Sequence, residues 1–325
     1  MSLLFVDGFD HYPTADILMK WDVSNGASIV TASPRTGAGN GQISGAAEYF
    51  HKYFASTINT VCVGFALRIA GATSHGGFWL TLDGAEQVRV TINSDRTIAV
   101  KTNTTVLGTT VSPVIPLNTW VYLEFKILVH ASAGTYDVYV NGVNVLTGTG
   151  KDTRLQTVDG VNSVKLFGAT EAFDFDDLYI DSATIHGDSR IDTVYPDGAG
   201  NYAQWTPSAG SNYQNVDESA QDGDTTYNAT DVLNEIDTYS FTNISTYSST
   251  IRGVALNANA RKDDAGTRKI TPLTRVSAAD FTGTEVGLYD SYRVYQQVWD
   301  DDPNAAADWT ETTINGAEFG VKLTT

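Results

Sequence analysis

The first half of the chain alternates apolar and polar residues in short runs separated by turn residues. Two such runs flank Asp83 and Gly84, a dipeptide that favours the tight turn of a β-hairpin. Alternate residues lie on one face of a strand, so the apolar members of both runs are expected to face one core. These members are Phe78, Leu80 and Leu82 before the turn, and Val88, Val90 and Ile92 after it.

The same pattern recurs up to about residue 186 and predicts further strands. The longest candidate covers 120–130, and a second hairpin is predicted to turn at Asn141 and Gly142. The segment 46–54 has charges at helical spacing, but its aromatic residues favour a strand. Other strands are predicted at 98–100, 136–140, 143–145, 164–167 and 173–180. Closely spaced strands with hardly a helix predict an antiparallel sandwich or barrel for residues 1–186.

Residues 187–230 are rich in Gly, Ser, Asn, Asp and Pro, with isolated aromatic residues, and are predicted to form a loop-rich connector. Long ordered loops in compact proteins are commonly functional. Tyr202, Trp205 and Tyr213 are therefore candidate contacts for assembly with another subunit or for a ligand.

Strand patterns resume in the last part of the chain, after a helical turn predicted at 232–236. They cover 238–244, 250–260, 268–276, 289–299 and 317–323. Residues 231–325 are therefore predicted to form a second, smaller β-sandwich domain.

The chain has 38 acidic and 20 basic residues, which give a formal net charge of -18. Nucleic acids and anionic membranes attract basic surfaces, so neither is expected as the main partner. Solubility in a crowded assembly is the simplest role for this acidity, although a cationic patch or metal ions would also suit it.

The single cysteine, Cys62, lies in an apolar run and is expected to be a small buried hydrophobe. One cysteine cannot form an intrachain disulfide. The first residues lack the long apolar run and basic flank of a signal peptide, and no stretch of about 18 apolar residues occurs. The protein is therefore expected to be made in a cytoplasm and to insert into no membrane.

Glu235, Asp237 and Tyr239 form the sharpest candidate for catalysis. Their spacing resembles the E-x-D-x-E strand of lectin-fold β-glucanases, in which alternate carboxylates project from one face. Tyr239 occupies the position of the third carboxylate, so a retaining pair is missing and no enzymatic activity is predicted. Polysaccharide cleavage by Glu235 and Asp237 with a distant third carboxylate is kept as the less favoured alternative.

Metal binding has weaker signals. Asp174 and Asp176 would share one face of a strand and are weak candidate ligands for Ca²⁺. The acidic clusters match no complete calcium loop, so solvated turns are favoured and no cofactor is firmly expected. The five histidines show no zinc-binding spacing.

Three stretches of the first half resemble the laminin-G/concanavalin A-like jelly roll. They are DGFDHY at 7–12, LNTWVYLE at 117–124 leading into YDVYVNG at 136–142, and FDDLYI at 175–180. In that family a Trp-bearing strand precedes a hairpin with an Asn-Gly or Asp-Gly tip, and an Asp-Asp-Leu-like strand ends the sheet. The resemblance implies a lectin-type sandwich.

A lectin-type domain needs an aromatic face that is open to sugar rings. The candidate glycan contacts are Trp79 and His75, which lies in a nearby loop. Phe78 and Trp79 are adjacent and lie on opposite faces of their strand, so one packs inward. The pattern leaves open whether the other is exposed or covered by a second layer, and it favours core packing for either residue.

The second half resembles virion structural proteins of tailed bacteriophages. The resemblance lies in VYPDGAG at 194–200, WTP at 205–207, DTTY at 224–227, DDDP at 300–303, WT at 309–310 and GAEFGV at 316–321. It implies a structural component of the virion surface, either a capsid decoration, a fibre or a tail-associated protein, assembled in the cytoplasm of a bacterial host.

The implied partners are other virion proteins and further copies of the chain in a homo-oligomer, with residues 231–325 providing the attachment. A carbohydrate-binding adhesin that contacts host surface glycans is the alternative.

Overall fold

The computed structural model describes residues 3–71, 76–168, 170–244 and 250–325. Strands account for 50% of the described residues and helices for 5%, so the predicted all-β class is confirmed. The chain divides into two compact units, one ending at Asp192 and the other covering Thr193–Thr325.

The first unit consists of two antiparallel sheets and a short helical segment. Its elements are β1 (Leu3–Asp7), a 3-10 helix (Thr14–Asp16), α1 (Ile17–Lys20), β2 (Val23–Asn25), β3 (Ser28–Val30), β4 (Asn40–Ile43), β5 (Tyr49–Ile58), β6 (Thr60–Ile69), β7 (Gly77–Leu82), β8 (Ala85–Ile92), β9 (Ile98–Thr102), β10 (Thr105–Thr109), β11 (Val121–Leu128), β12 (Gly134–Val140), β13 (Val143–Lys151), β14 (Val161–Phe167) and β15 (Phe173–Asp181). Sheet A has the order β13-β12-β11-β6-β15-β4-β3, and β1 pairs with β15. Sheet B has the order β10-β9-β8-β7-β14-β5-β2. This is the predicted jelly-roll sandwich.

The core of the first unit lies between the two sheets. Phe78 of sheet B packs edge to face on Phe125 of sheet A, with ring centroids 4.7 Å apart, and on Phe65 at 6.0 Å. All three side chains are fully buried, which stabilises the fold by about 2 to 3 kcal/mol each. Since Phe78 faces the core, its neighbour Trp79 lies on the outer face of sheet B.

The two predicted hairpins are confirmed. Asp83 and Gly84 have φ values of 49° and 81° between β7 and β8, and Asn141 and Gly142 have 49° and 77° between β12 and β13. Positive φ at both central residues is the signature of the type I′ turn, which Asn-Gly and Asp-Gly sequences favour. Cys62 is fully buried, as expected, and burial raises the pKa of its thiol to about 12.

A buried polar network fixes the N-terminal segment against the sandwich. The carboxylate of Asp7 accepts hydrogen bonds from Lys20 Nζ at 3.0 Å, Trp21 Nε1 at 2.8 Å, the Tyr12 hydroxyl at 2.5 Å and the Phe9 N–H at 2.9 Å. Lys20 and Asp7 form an ion pair whose side chains are 2% and 0% exposed. Each carboxylate oxygen thus receives two donors, which compensates the burial of the charge.

The second unit is a smaller two-layer β structure. Its elements are β16 (Pro196–Ala203), β17 (Thr206–Pro207), a 3-10 helix (Asn212–Asn215), β18 (Asn228–Ala229), β19 (Ile236–Phe241), β20 (Val254–Ala260), β21 (Lys269–Val276), β22 (Ala279–Thr282), β23 (Val286–Gly287), β24 (Arg293–Trp299), α2 (Glu311–Asn315) and β25 (Glu318–Leu323). Sheet C has the order β16-β19-β25-β21-β22, with β23 beside β21, while β20 and β24 form a separate ribbon. The ribbon packs on sheet C, where Trp299 meets Phe319 with ring centroids 6.1 Å apart.

The predicted connector 187–230 is divided between the two units. Residues 193–230 belong to the second unit because β16 pairs along β19 as an edge strand of sheet C. The pairing is irregular and the strand contains two glycines, so it lacks the alternating apolar pattern that predicts a strand. In place of a predicted helical turn at 232–236, the chain makes a turn in which the Glu235 N–H donates to the Val232 carbonyl at 3.3 Å.

Candidate binding site

The outer face of sheet B carries a row of residues aligned by strand register. On this face Lys165 of β14 lies between His51 of β5 and Trp79 of β7. The pairing continues from Trp79 to Arg89 of β8, and from Arg89 to Lys101 of β9. Register partners point to the same side of a sheet, so these side chains are neighbours. We call His51, Lys165, Trp79, Arg89 and Lys101 the cationic row.

Aromatic rings contact the charged members of the cationic row. The ammonium nitrogen of Lys165 lies 3.7 Å from the ring centroid of Tyr49 and 5.0 Å from that of Trp79. The Arg89 guanidinium carbon lies 4.7 Å from the Trp79 ring centroid, and the Phe167 ring packs on Trp79 at 5.2 Å. The residues in these contacts are partly exposed, namely Lys165, Tyr49, Trp79, Arg89 and Phe167. The face therefore presents cations supported by π-faces, an arrangement that holds the charges in place.

Two cations of the row have no acidic partner. Among the described residues, no carboxylate lies within 4.0 Å of the ammonium group of Lys165 or Lys101, whereas Arg89 pairs with Glu86. Partial burial lowers the pKa of Lys165, and burial together with the charge of Arg89 lowers the pKa of Lys101. In a chain of net charge -18, these two positive charges are placed where an anionic ligand would stabilise them.

Two donors on this face also lack acceptors. Trp79 Nε1 and Arg89 Nε are buried and form no hydrogen bond. Buried N–H groups nearly always have a hydrogen-bond acceptor, so two neighbouring donors without one are unusual. Both belong to partly exposed side chains, and we expect a small side-chain rotation to offer them to the oxygen atoms of a ligand.

One end of the row is neutral. Burial and the charge of Lys165 lower the pKa of His51 to about 4, so its ring carries no charge at neutral pH. His51 Nε2 lies 3.3 Å from Thr81 Oγ1, and its ring packs at a tilt on the exposed Tyr53, with ring centroids 4.4 Å apart. This end offers the exposed ring of Tyr53, and the Asp22 carboxylate lies beside it and accepts from the Tyr53 N–H at 2.8 Å.

Only one of the two predicted glycan contacts lies among the described residues. Trp79 lies at the centre of the cationic row, whereas His75 lies outside the described residues. Sequence reasoning missed Lys165, Arg89 and Lys101. Strand alternation assigns each of them to a polar face, but only the order of the strands in sheet B brings them beside Trp79.

The candidate assembly residues have contacts inside the second unit. The Tyr202 hydroxyl donates to Asp280 at 2.7 Å, and Trp205 Nε1 donates to the Glu235 carbonyl at 3.2 Å. Tyr213 is partly exposed in the short 3-10 helix.

The candidate calcium ligands are occupied by protein donors. Asp174 accepts from Arg68 Nε at 2.9 Å and from Gln42 Nε2 at 2.7 Å, while Asp176 accepts from the backbone N–H groups of Arg35 and Thr36 at 2.7 and 3.2 Å. Burial and the neighbouring charge of Asp177 raise the pKa of Asp176 to about 8. The residues described by the structure contain no group of three or more His, Cys, Asp or Glu side chains that could hold a metal ion.

The carboxylates of β19 and its flank are likewise tied to neutral partners. Asp237 is fully buried, and its carboxylate oxygens accept from the Asn212 amide at 2.8 and 3.0 Å and from the Tyr239 hydroxyl at 2.8 Å. Glu235 accepts from the Thr230 hydroxyl. Burial raises the pKa of Asp237, which stabilises its protonated form. These contacts hold the connector segment against sheet C.

No helix among the residues that the structure describes is long and apolar enough to span a membrane.

No family model matches the sequence, and no curated protein sequence matches it. Similar solved structures include a Trypanosoma rangeli sialidase (12% identity, TM-score 0.37), with 49% of this chain covering 27% of the sialidase. An alginate lyase is 10% identical over 55% of this chain and 93% of its own, with a TM-score of 0.38. A Caenorhabditis elegans galectin is 10% identical over 43% of this chain and 94% of its own, with a TM-score of 0.31.

Proposed function

We propose that the protein is a carbohydrate-binding adhesin whose first unit binds acidic glycans on the outer face of sheet B. The observation that carries this proposal is the position of Lys165. Its ammonium group lies between the Tyr49 and Trp79 rings and has no carboxylate partner among the described residues. Such a group is available to a ligand carboxylate.

Acidic sugars match the chemistry of this face. Their apolar C–H faces stack on aromatic rings, their hydroxyl groups accept hydrogen bonds from N–H donors, and their carboxylates pair with cations. Neutral sugars would use only the first two of these interactions and would leave Lys165 and Lys101 unpaired.

Calorimetric titration with an oligouronate and with a neutral oligosaccharide of the same length tests the proposal. We expect the oligouronate to bind more tightly, and Lys165→Gln to weaken its binding by about tenfold, or about 1.4 kcal/mol. Lys126→Gln, on the outer face of sheet A, removes the same charge elsewhere in the unit and should leave the affinity unchanged. Equal binding of both sugars, or no binding of either, would overturn the proposal.

The setting of this activity is proposed from the sequence resemblance alone. We propose that the chain acts on the surface of a bacteriophage virion, as a capsid decoration, fibre or tail-associated structural protein, and that its second unit attaches it to other virion proteins or to further copies of itself. Mass spectrometry of purified particles should find the chain. Its absence from particles would remove the virion role while leaving glycan binding to stand.

A further inference from the structure

The cationic row continues to both edges of sheet B. Val23 of β2 pairs with His51 at one end, and Val106 of β10 pairs with Lys101 at the other. These valines are 37% and 54% exposed. The extended row thus crosses all seven strands and ends at side chains that are open to solvent.

The length of this surface exceeds that of one sugar. Seven strands leave six intervals of about 4.8 Å, or about 29 Å in total, and the charged part from Lys165 to Lys101 covers three of these intervals. A pyranose unit of an extended chain is similar in length to one strand interval. The spacing of the cations therefore matches several consecutive units better than a single terminal residue.

The distribution of charge supports the same view. Lys165, Arg89 and Lys101 stand on three of four neighbouring strands, and the fourth strand contributes Trp79. Consecutive acidic units laid across the strands would bring successive carboxylates to these cations, with a sugar face over the ring. A single acidic sugar could use only one or two of the cations.

We infer that the site binds an internal segment of a linear acidic polysaccharide, of about four or more units, laid across the strands of sheet B from β5 to β9. This inference rests on the proposed binding of acidic glycans and adds the length and direction of the ligand. The exposed valines at the edges allow the polymer to continue past the site in both directions.

A length series of oligouronates, from one to six units, tests the inference by calorimetry. Affinity is expected to rise by about fivefold or more for each added unit up to about four, since each unit adds at least one hydrogen bond or ion pair, and then to level off. Lys101→Gln should weaken binding of the tetramer by about tenfold and leave binding of the dimer within twofold, because a dimer cannot occupy both Lys165 and Lys101 across three strand intervals. Lys126→Gln serves as the charge-matched control, and thermal unfolding verifies that each variant is folded.

A monouronate that binds as tightly as the hexamer would overturn the inference while leaving the proposed function intact. Equal effects of Lys101→Gln on dimer and tetramer would also overturn it. If no oligouronate of any length binds, the proposed function itself fails.

Discussion

The ammonium nitrogen of Lys165 lies 3.7 Å from the centroid of the Tyr49 ring. This contact is a diagonal one between two neighbouring strands, since Lys165 pairs in register with His51 and Tyr49 lies two residues before His51 in β5. Diagonal neighbours on one sheet face are within reach of aromatic and long side chains. Tyr49 therefore holds the Lys165 ammonium group in position. From the sequence alone, this side chain would be assigned to solvent.

Replacement of the Tyr49 ring tests its role in positioning Lys165. Tyr49→Leu removes the π-face and is expected to weaken oligouronate binding about threefold to tenfold, because the ammonium group loses its support. Tyr49→Phe keeps the ring and should bind like the unaltered protein. Calorimetry measures the affinity of both variants for the oligouronate. An equal loss of affinity in both would show that the Tyr49 hydroxyl group, and not its ring, supports binding.

Salt should weaken binding through the unpaired lysines. Exposed charge pairs are screened as the Debye length falls from about 10 Å at 0.1 M salt to about 3 Å at 1 M. We expect oligouronate affinity to decline with ionic strength, and to decline less steeply in Lys165→Gln, which has one cation fewer. A salt dependence that is the same in both proteins would place the ligand away from Lys165.

Acid is expected to destabilise the first unit through His51 and His11. Burial and the charges of Lys165 and Lys20 lower the pKa of His51 to about 4 and that of His11 to about 3. The unfolded chain, with an ordinary histidine pKa of about 6.5, then binds more protons than the folded one. The free energy of unfolding should therefore fall as the pH falls from about 6.5 to about 4.

Urea unfolding of the full chain at several pH values in this window measures the effect. His51→Gln cannot take up the proton and should reduce the slope of unfolding free energy against pH. An unchanged slope would show that His51 titrates in the same way in the folded and unfolded chains.

Substitutions of Asp7 and Lys20, which form a buried ion pair, should have non-additive effects on the free energy of unfolding. Lys20→Met leaves a fully buried carboxylate without its cation and is expected to cost about 3 to 5 kcal/mol of unfolding free energy. The double variant with Asp7→Asn removes both charges and should cost less than the sum of the single variants. Urea unfolding of the four proteins completes the cycle, and additive effects would contradict the coupling.

Local features of the fold could be predicted from the sequence. The Asp83-Gly84 and Asn141-Gly142 turns were predictable because positive φ at two successive residues has a strong sequence preference. The outward position of Trp79 follows from simple alternation once Phe78 is assigned to the core.

The candidate site could be predicted only in part, because it depends on long-range pairing. Strand β14 enters sheet B between β5 and β7, and about 80 residues or more separate Lys165 from Trp79 and from Tyr49 along the chain. Alternation states which residues share a face of one strand but not which strands are neighbours. The edge strand β16 was missed for a different reason, since its glycines and polar residues have no apolar alternation.

A crystal structure of the protein with a bound acidic tetrasaccharide tests the central claim most directly. We predict sugar units laid across sheet B, with carboxylates within about 4 Å of Lys165 and Lys101 and a sugar face beside Trp79. A tetrasaccharide that lies on sheet A or on the second unit, with the outer face of sheet B free, would contradict it.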